Sequence, residues 1–167
     1  MTNNLLYDFS QVPIPIDAVD EEQVARLRPW NIDEIKRFIL CAGPISSILD
    51  YTTFFVMIWV FHCWDPSRAA EFQTGWFVES LMTQTLIIDV IRTNKIPFLQ
   101  SRASWPLTVT KLSIVALGMW LPYSPLASSP GFTALPRMYW PILMLTLLSH
   151  IAFARAINVW LLRRKWI

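Results

Sequence analysis

Phe38–His62 reads "FILCAGPISSILDYTTFFVMIWVFH", an apolar run in which Asp50 is the one acid. An α-helix rises about 1.5 Å per residue, so a hydrocarbon layer of ~30 Å takes ~20 residues to cross. This run is long enough, and the rest of the chain can be tested against the same measure. Three further apolar runs follow, at residues 76–91, 105–122 and 138–162, the first of them short and carrying Glu79 and Asp89. The composition agrees: 54% hydrophobic, 14% aromatic, with nine Trp and a mean hydropathy of +0.39. Ordinary soluble domains are less apolar and less aromatic. The runs predict an all-α membrane protein with four transmembrane helices, helical because backbone polar groups in lipid must be bonded internally.

The basic residues alternate around these runs. Arg26, Arg28, Lys36 and Arg37 precede the first, and only Arg68 separates the first from the second. Arg92, Lys95 and Arg102 separate the second from the third, only Arg137 the third from the fourth, and Arg155, Arg163, Arg164 and Lys165 close the chain. The positive-inside rule then predicts a multi-pass protein with both termini and the middle loop in the cytoplasm. The first thirty residues show no basic segment leading into an apolar core, so they do not read as a signal peptide. Cys41 and Cys63 bracket the first run, roughly 30 Å apart on a helix, which is too far for a disulfide.

Residues 1–12 read as the tail of a further helix, ended by Pro13 and Pro15. Residues 13–37 read as a cytoplasmic linker, and 38–167 as a four-helix transmembrane domain. Within the linker, "WNIDEIKRF" (30–38) suits an interfacial helix with Asn31 as N-cap. Gly43-Pro44 predicts a kink or a helix start.

Ionisable groups inside apolar runs are functional candidates by their cost alone. Asp50, Glu79, Asp89, Lys111, His150 and Arg155 qualify. Asp89, Lys111 and Arg155 read as ion pairs or snorkelling bases near the cytoplasmic boundary, fixing helix register. Asp50, beside Ser46, Ser47 and Thr53, reads as an interhelical hydrogen-bonding residue, with transport as the rival role. Gln84, flanked by Thr83 and Thr85, reads as helix glue or part of an ion path. His150 reads as a bonded core histidine. The sequence holds no Gly-rich phosphate loop, no Gly-x-Ser-x-Gly, no Cys-x-x-Cys and no basic-aromatic patch for nucleic acid.

The chain opens "MTNNLLYDFSQVPIPID" (1–17). Asn4 and Asp8 are four apart and share a helical face, with Tyr7 beside them. Two oxygen-bearing side chains one turn apart suit a hard cation that has shed water. The same pair also reads as an N-cap followed by a surface acid, and residue types alone favour that reading.

Longer motifs add a resemblance. "NLLYDFSQVPIPIDAVDEE" (4–22), "PISSILDYTTFFVMIWVF" (44–61), "FQTGWFVESLMTQTLIIDVIRTNKIPF" (72–98) and "SRASWPL" (101–107) are followed by "LPYSPLA" (121–127) and "ALP" (134–136). Together they resemble the C-terminal region of bacterial magnesium-transporting P-type ATPases. The resemblance implies a ten-helix pump of the cell inner membrane, of which this chain carries the end of helix six and helices seven to ten. It implies that Asn4 and Asp8, in an Asn-x-x-x-Asp pattern, and with them Tyr7, belong to the transport site. It implies that Gln84 occupies a polar site position on the eighth helix, and that residues 13–37 couple the membrane helices to a phosphorylation domain. Mg2+ is then the transported ion. ATP is used only by the complete pump, since the family's Asp-Lys-Thr-Gly motif does not occur in this chain. The implied partners are the lipid bilayer and the missing N-terminal part of the pump. Two alternatives stand beside this reading: a truncated, structural or regulatory membrane protein without transport, and a small independent channel or carrier built around Asp50, Gln84 and His150.

Overall fold

The computed structural model describes residues 2–17, 32–92, 103–128 and 131–163. Among them the fold is all-helical. Helix α1 spans Thr2–Gln11, α2 Ile32–Phe55, α3 Ala69–Arg92, α4 Trp105–Trp120 and α5 Tyr139–Arg163. Most of the 13–37 linker, with Trp30 and Asn31, lies outside the described residues, as do Lys95, Arg102 and the terminal Arg164, Lys165 and Trp166.

The ends of the helices follow from their residues. Helix α1 stops before Pro13, and a 3-10 turn at Ile14–Ile16 follows with Pro15 inside it. Asp17 then accepts a hydrogen bond from the Ser104 backbone N–H at 2.6 Å, tying this turn to the start of α4. Pro106 sits in the first turn of α4, where a missing N–H costs nothing. Helix α2 continues through Pro44 instead of starting there, and "IDEIKRF" is its first two turns. Ser47 Oγ donates to the Gly43 carbonyl at 3.2 Å, giving one carbonyl beside the proline a partner. The helix continues into a π-helical turn, Val56–Val60, and ends at His62, whose φ of 53° is left-handed.

Helix α3 is central. It packs against α5, α1, α4 and α2, while α2 packs against α5 and α1 against α4. Met57, Phe77, Val78, Leu81, Tyr139, Leu143 and Leu147 form the core. Two glycines permit its closest approaches. A Cβ on Gly75 would lie 2.8 Å from the Met57 sulfur, and one on Gly118 would overlap the Leu81 side chain. The Tyr139 hydroxyl donates to the Gly75 carbonyl at 2.6 Å, locking α5 to α3.

The expectation of four transmembrane helices plus the end of a fifth is corrected here. Among the described residues one helix, over Tyr139–Ile157, is long and apolar enough to cross a membrane. The reasons are local. Helix α2 brings Asp33, Lys36 and Arg37 into its first turns, and its apolar part, Asp50–Val60, is short. Helix α3 carries Glu71, Glu79, Asp89 and Arg92. Helix α4 has 16 residues, about 24 Å of rise, and includes Lys111. The multi-pass location in the inner membrane with both termini cytoplasmic falls with the same finding, since one candidate span does not give several passes. The Tyr139–Ile157 stretch is only 22% buried within the molecule, and Met144, Leu145, Leu148 and Phe153 point outward along it.

Candidate functional site

The polar groups predicted from sequence divide between two sides of α3. On one side α1 meets α3. Asn3 Nδ2 donates to Ser80 Oγ at 3.0 Å, and Gln84 Nε2 donates to the same oxygen at 3.3 Å. Asn3 Oδ1 and Gln84 Oε1 are buried and have no hydrogen-bond partner among the described residues. Two side-chain amides therefore meet at one hydroxyl, each through its nitrogen, and each keeps an unspent oxygen. Buried polar oxygens are normally paired. A donor set of neutral oxygens is what a hard, dehydrated cation takes as part of its shell.

Asn4 and Asp8 are not in this contact. They are exposed and lie together on the side of α1 that the described residues leave open, with Tyr7 half-buried between that side and the packed one. The shared face expected from their spacing is present, but Gln84 is not brought to it. Asn3 meets Gln84 through Ser80. Sequence reading passed over both Asn3 and Ser80. The Asn3-Asn4 doublet was the available signal, since on a helix neighbouring residues point about 100° apart and one of the two must face a partner.

The other side of α3 faces α2 and α5. Glu79 is fully buried, His150 is nearly so, and Asp50 is half-buried. Thr53, Thr83 and Thr146 are buried nearby on the same three helices. Thr83 Oγ1 is spent on the Glu79 carbonyl at 3.1 Å, and Thr146 Oγ1 on the Ile142 carbonyl at 3.1 Å. Lys111 is buried on α4 and Arg155 is half-buried on α5. The Asp89 side chain lies outside the described residues. Among the described residues no group of three or more His, Cys, Asp or Glu side chains is placed to hold a metal ion.

The turn between α2 and α3 is held by charge. Arg68 Nη2 meets Glu71 Oε2 at 2.8 Å, and the Arg68 guanidinium also donates to the Phe61 carbonyl. The Ser67 backbone N–H donates to Asp65 at 2.9 Å, which holds the Asp65 carboxyl below the usual carboxylate range. Burial, and then the Glu71 carboxylate, push the Cys63 thiol up, with Arg68 opposing. Cys63 is a free, buried thiol, in keeping with a packing role.

The family described as "Cation transporting ATPase, C-terminus" matches residues 2–167. "Magnesium-transporting ATPase, P-type 1" of Salmonella typhimurium strain LT2 is 46% identical over 164 residues, covering 98% of this chain. The protein of the same description from Escherichia coli K12 is 45% identical over the same length. The chain spans 18% of the length of each of these relatives.

Proposed function

Because the chain belongs to the family of cation-transporting ATPase C-terminal regions, we propose that it is the C-terminal portion of an ATP-driven magnesium transporter. In this reading it supplies a helical scaffold and part of the ion site, and it is not active alone. Phosphorylation, nucleotide binding and the remaining ion ligands come from the rest of the pump, which is its main partner. The observation that carries the reading is the similarity to magnesium-transporting ATPases along 98% of the chain.

The ion site is proposed around α1. Asp8 supplies the charge for Mg2+, and Asn4 a neutral oxygen one turn away, on the face left open for helices outside this chain. Tyr7 flanks them. Asn3, Ser80 and Gln84 line the opposite side of the same helix with the unspent oxygens described above. A small hard cation keeps several waters and takes one or two carboxylates, so one acid with neutral oxygens fits. Asp50 and His150 act on one another between α2 and α5, whereas Gln84 donates to Ser80 on its own helix, the oxygen that Asn3 of α1 also reaches. That separation disfavours a small channel lined by all three. The apolar outward face of α5 is proposed to contact lipid.

The test is growth on limiting magnesium in a host without its own transporters, with this chain present as part of the complete pump. Asp8→Asn is expected to abolish complementation while the protein still accumulates. Full complementation by Asp8→Asn removes Asp8 from the site.

A further inference from the structure

Helix α4 starts with a capping position that its own residues do not fill. Ser104 is the N-cap, followed by Trp105, Pro106 and Leu107. The Ser104 hydroxyl makes no capping bond and is buried without a hydrogen-bond partner among the described residues. In a capping box, an acid or amide three residues after the N-cap reaches back to the N-cap backbone N–H. That position here is Leu107, which is 0% exposed and has no polar side-chain atom. The acid comes instead from 87 residues away: Asp17 accepts from the Ser104 N–H at 2.6 Å. Its carboxylate thus lies at the end of α4 where the helix dipole favours negative charge.

Asp17 is joined to α1 by a short, stiff segment. The Ile16 N–H donates to the Pro13 carbonyl at 3.1 Å, and the Asp17 N–H to the Ile14 carbonyl at 3.0 Å. Pro13 and Pro15 have φ fixed by their rings, and Pro13 is buried. Ser10, in the last turn of α1, is fully buried, with its hydroxyl spent on the Tyr7 carbonyl at 2.6 Å. Apolar packing between α1 and α4 is non-directional. The Asp17 bond is directional, and α1 slides along α4 only if that bond breaks or the turn opens.

We propose that Asp17 is a positioning residue for the ion site. By capping α4 from the chain beyond α1, it fixes the axial position of α1, and with it the height at which Asn4 and Asp8 are presented. The inference rests on the proposed placement of the site on α1. A slip of one residue moves both side chains by about 1.5 Å along the axis. That is most of a Mg2+–oxygen distance, about 2.0–2.1 Å. Asp17 acts through the helix and is not itself a ligand.

The test reads register and transport separately in the complete pump. Spin labels are attached at Phe9→Cys on α1 and Leu112→Cys on α4, both exposed positions, in a background without other cysteines. The distance between them is measured by pulsed electron paramagnetic resonance, and transport is measured in the unlabelled pump. Asp17→Ala is expected to shift or broaden the distance. It is also expected to raise the magnesium concentration for half-maximal transport about five-fold, the factor that one capping bond supplies, and to keep the maximal rate. Asp17→Asn, whose amide oxygen accepts the same bond, is expected to restore both. Ser104→Pro removes the donor, suits the Ser104 φ of −57° and leaves every other contact of Asp17 in place. It must shift the distance in the same way, and it carries the test alone should Asp17→Ala not accumulate. An unshifted distance in either variant overturns the proposal. A shifted distance with unchanged magnesium dependence upholds the register and overturns the placement of the ion site on α1.

Discussion

Asn3 and Asn4 are adjacent and chemically identical, yet the fold gives them opposite surroundings. Asn3 is bonded to Ser80 across to α3, and Asn4 is exposed. The four-residue spacing of Asn4 and Asp8 made their common face legible in the sequence. Which face turns towards α3 was not legible, because it depends on the register of a helix about eighty residues away. Asn3→Leu separates a ligand from simple helix glue. It removes one amide while Gln84 still donates to Ser80. Losing one neutral oxygen of a cation shell costs about 1 kcal/mol, roughly a five-fold rise in the magnesium concentration for half-maximal transport by the complete pump. A purely structural bond would lower the melting temperature and leave that concentration unchanged. The same limit explains Glu79. Its presence in an apolar run was visible, but that its carboxylate has no hydrogen-bond partner among the described residues is a property of the packed helices.

Helix ends are the elements that sequence and structure share most closely. Pro13 and Pro15 close α1, and Pro106 opens α4, as the chemistry of proline dictates. The exception is Pro44, inside α2, where the helix is carried through by its neighbours. The far end of α2 is set by His62 in the left-handed region, which costs a non-glycine residue about 1–2 kcal/mol. Glycine removes that cost and gives back part of it in unfolded-state entropy. His62→Gly is therefore expected to stabilise the fold by about 0.5–1 kcal/mol, read as a higher unfolding midpoint. Asp65, the next cap, carries a pH signature. Its folded carboxyl titrates below its ordinary value because Ser67 donates to the ionised form. Its contribution is thus present above the ordinary carboxylate range and is lost as pH falls through the lowered folded value. Asp65→Ala should be less stable than wild type at neutral pH, and the difference should vanish in acid. A difference that persists unchanged to acid pH would show that the ionised carboxylate is not the stabilising form.

At the scale of the whole molecule, the helices were legible and their use was not. The apolar runs at 38–62, 105–122 and 138–162 mark α2 with its π-helical turn, α4 with its following 3-10 turn, and α5. An apolar run reports that a helix is wanted and that it will be covered, but not by what. Met57, Leu81 and Leu107 in those or neighbouring runs are covered by protein. Along α5 the two kinds of cover alternate. Leu143 and Leu147 are in the core, while Met144, Leu145 and Leu148 are more than half exposed. If lipid covers the outer face, single cysteines there, in a background lacking Cys41 and Cys63, will differ from those on the inner face. Spin labels at 144, 145 and 148 should meet oxygen, which concentrates in lipid, and be shielded from a water-soluble paramagnetic metal complex. Labels at 143 and 147 should be shielded from both. Ready access of the metal complex to 144, 145 and 148 would place that face in water. Shielding of these positions from both probes would mean that other helices of the complete pump, instead of lipid, cover α5.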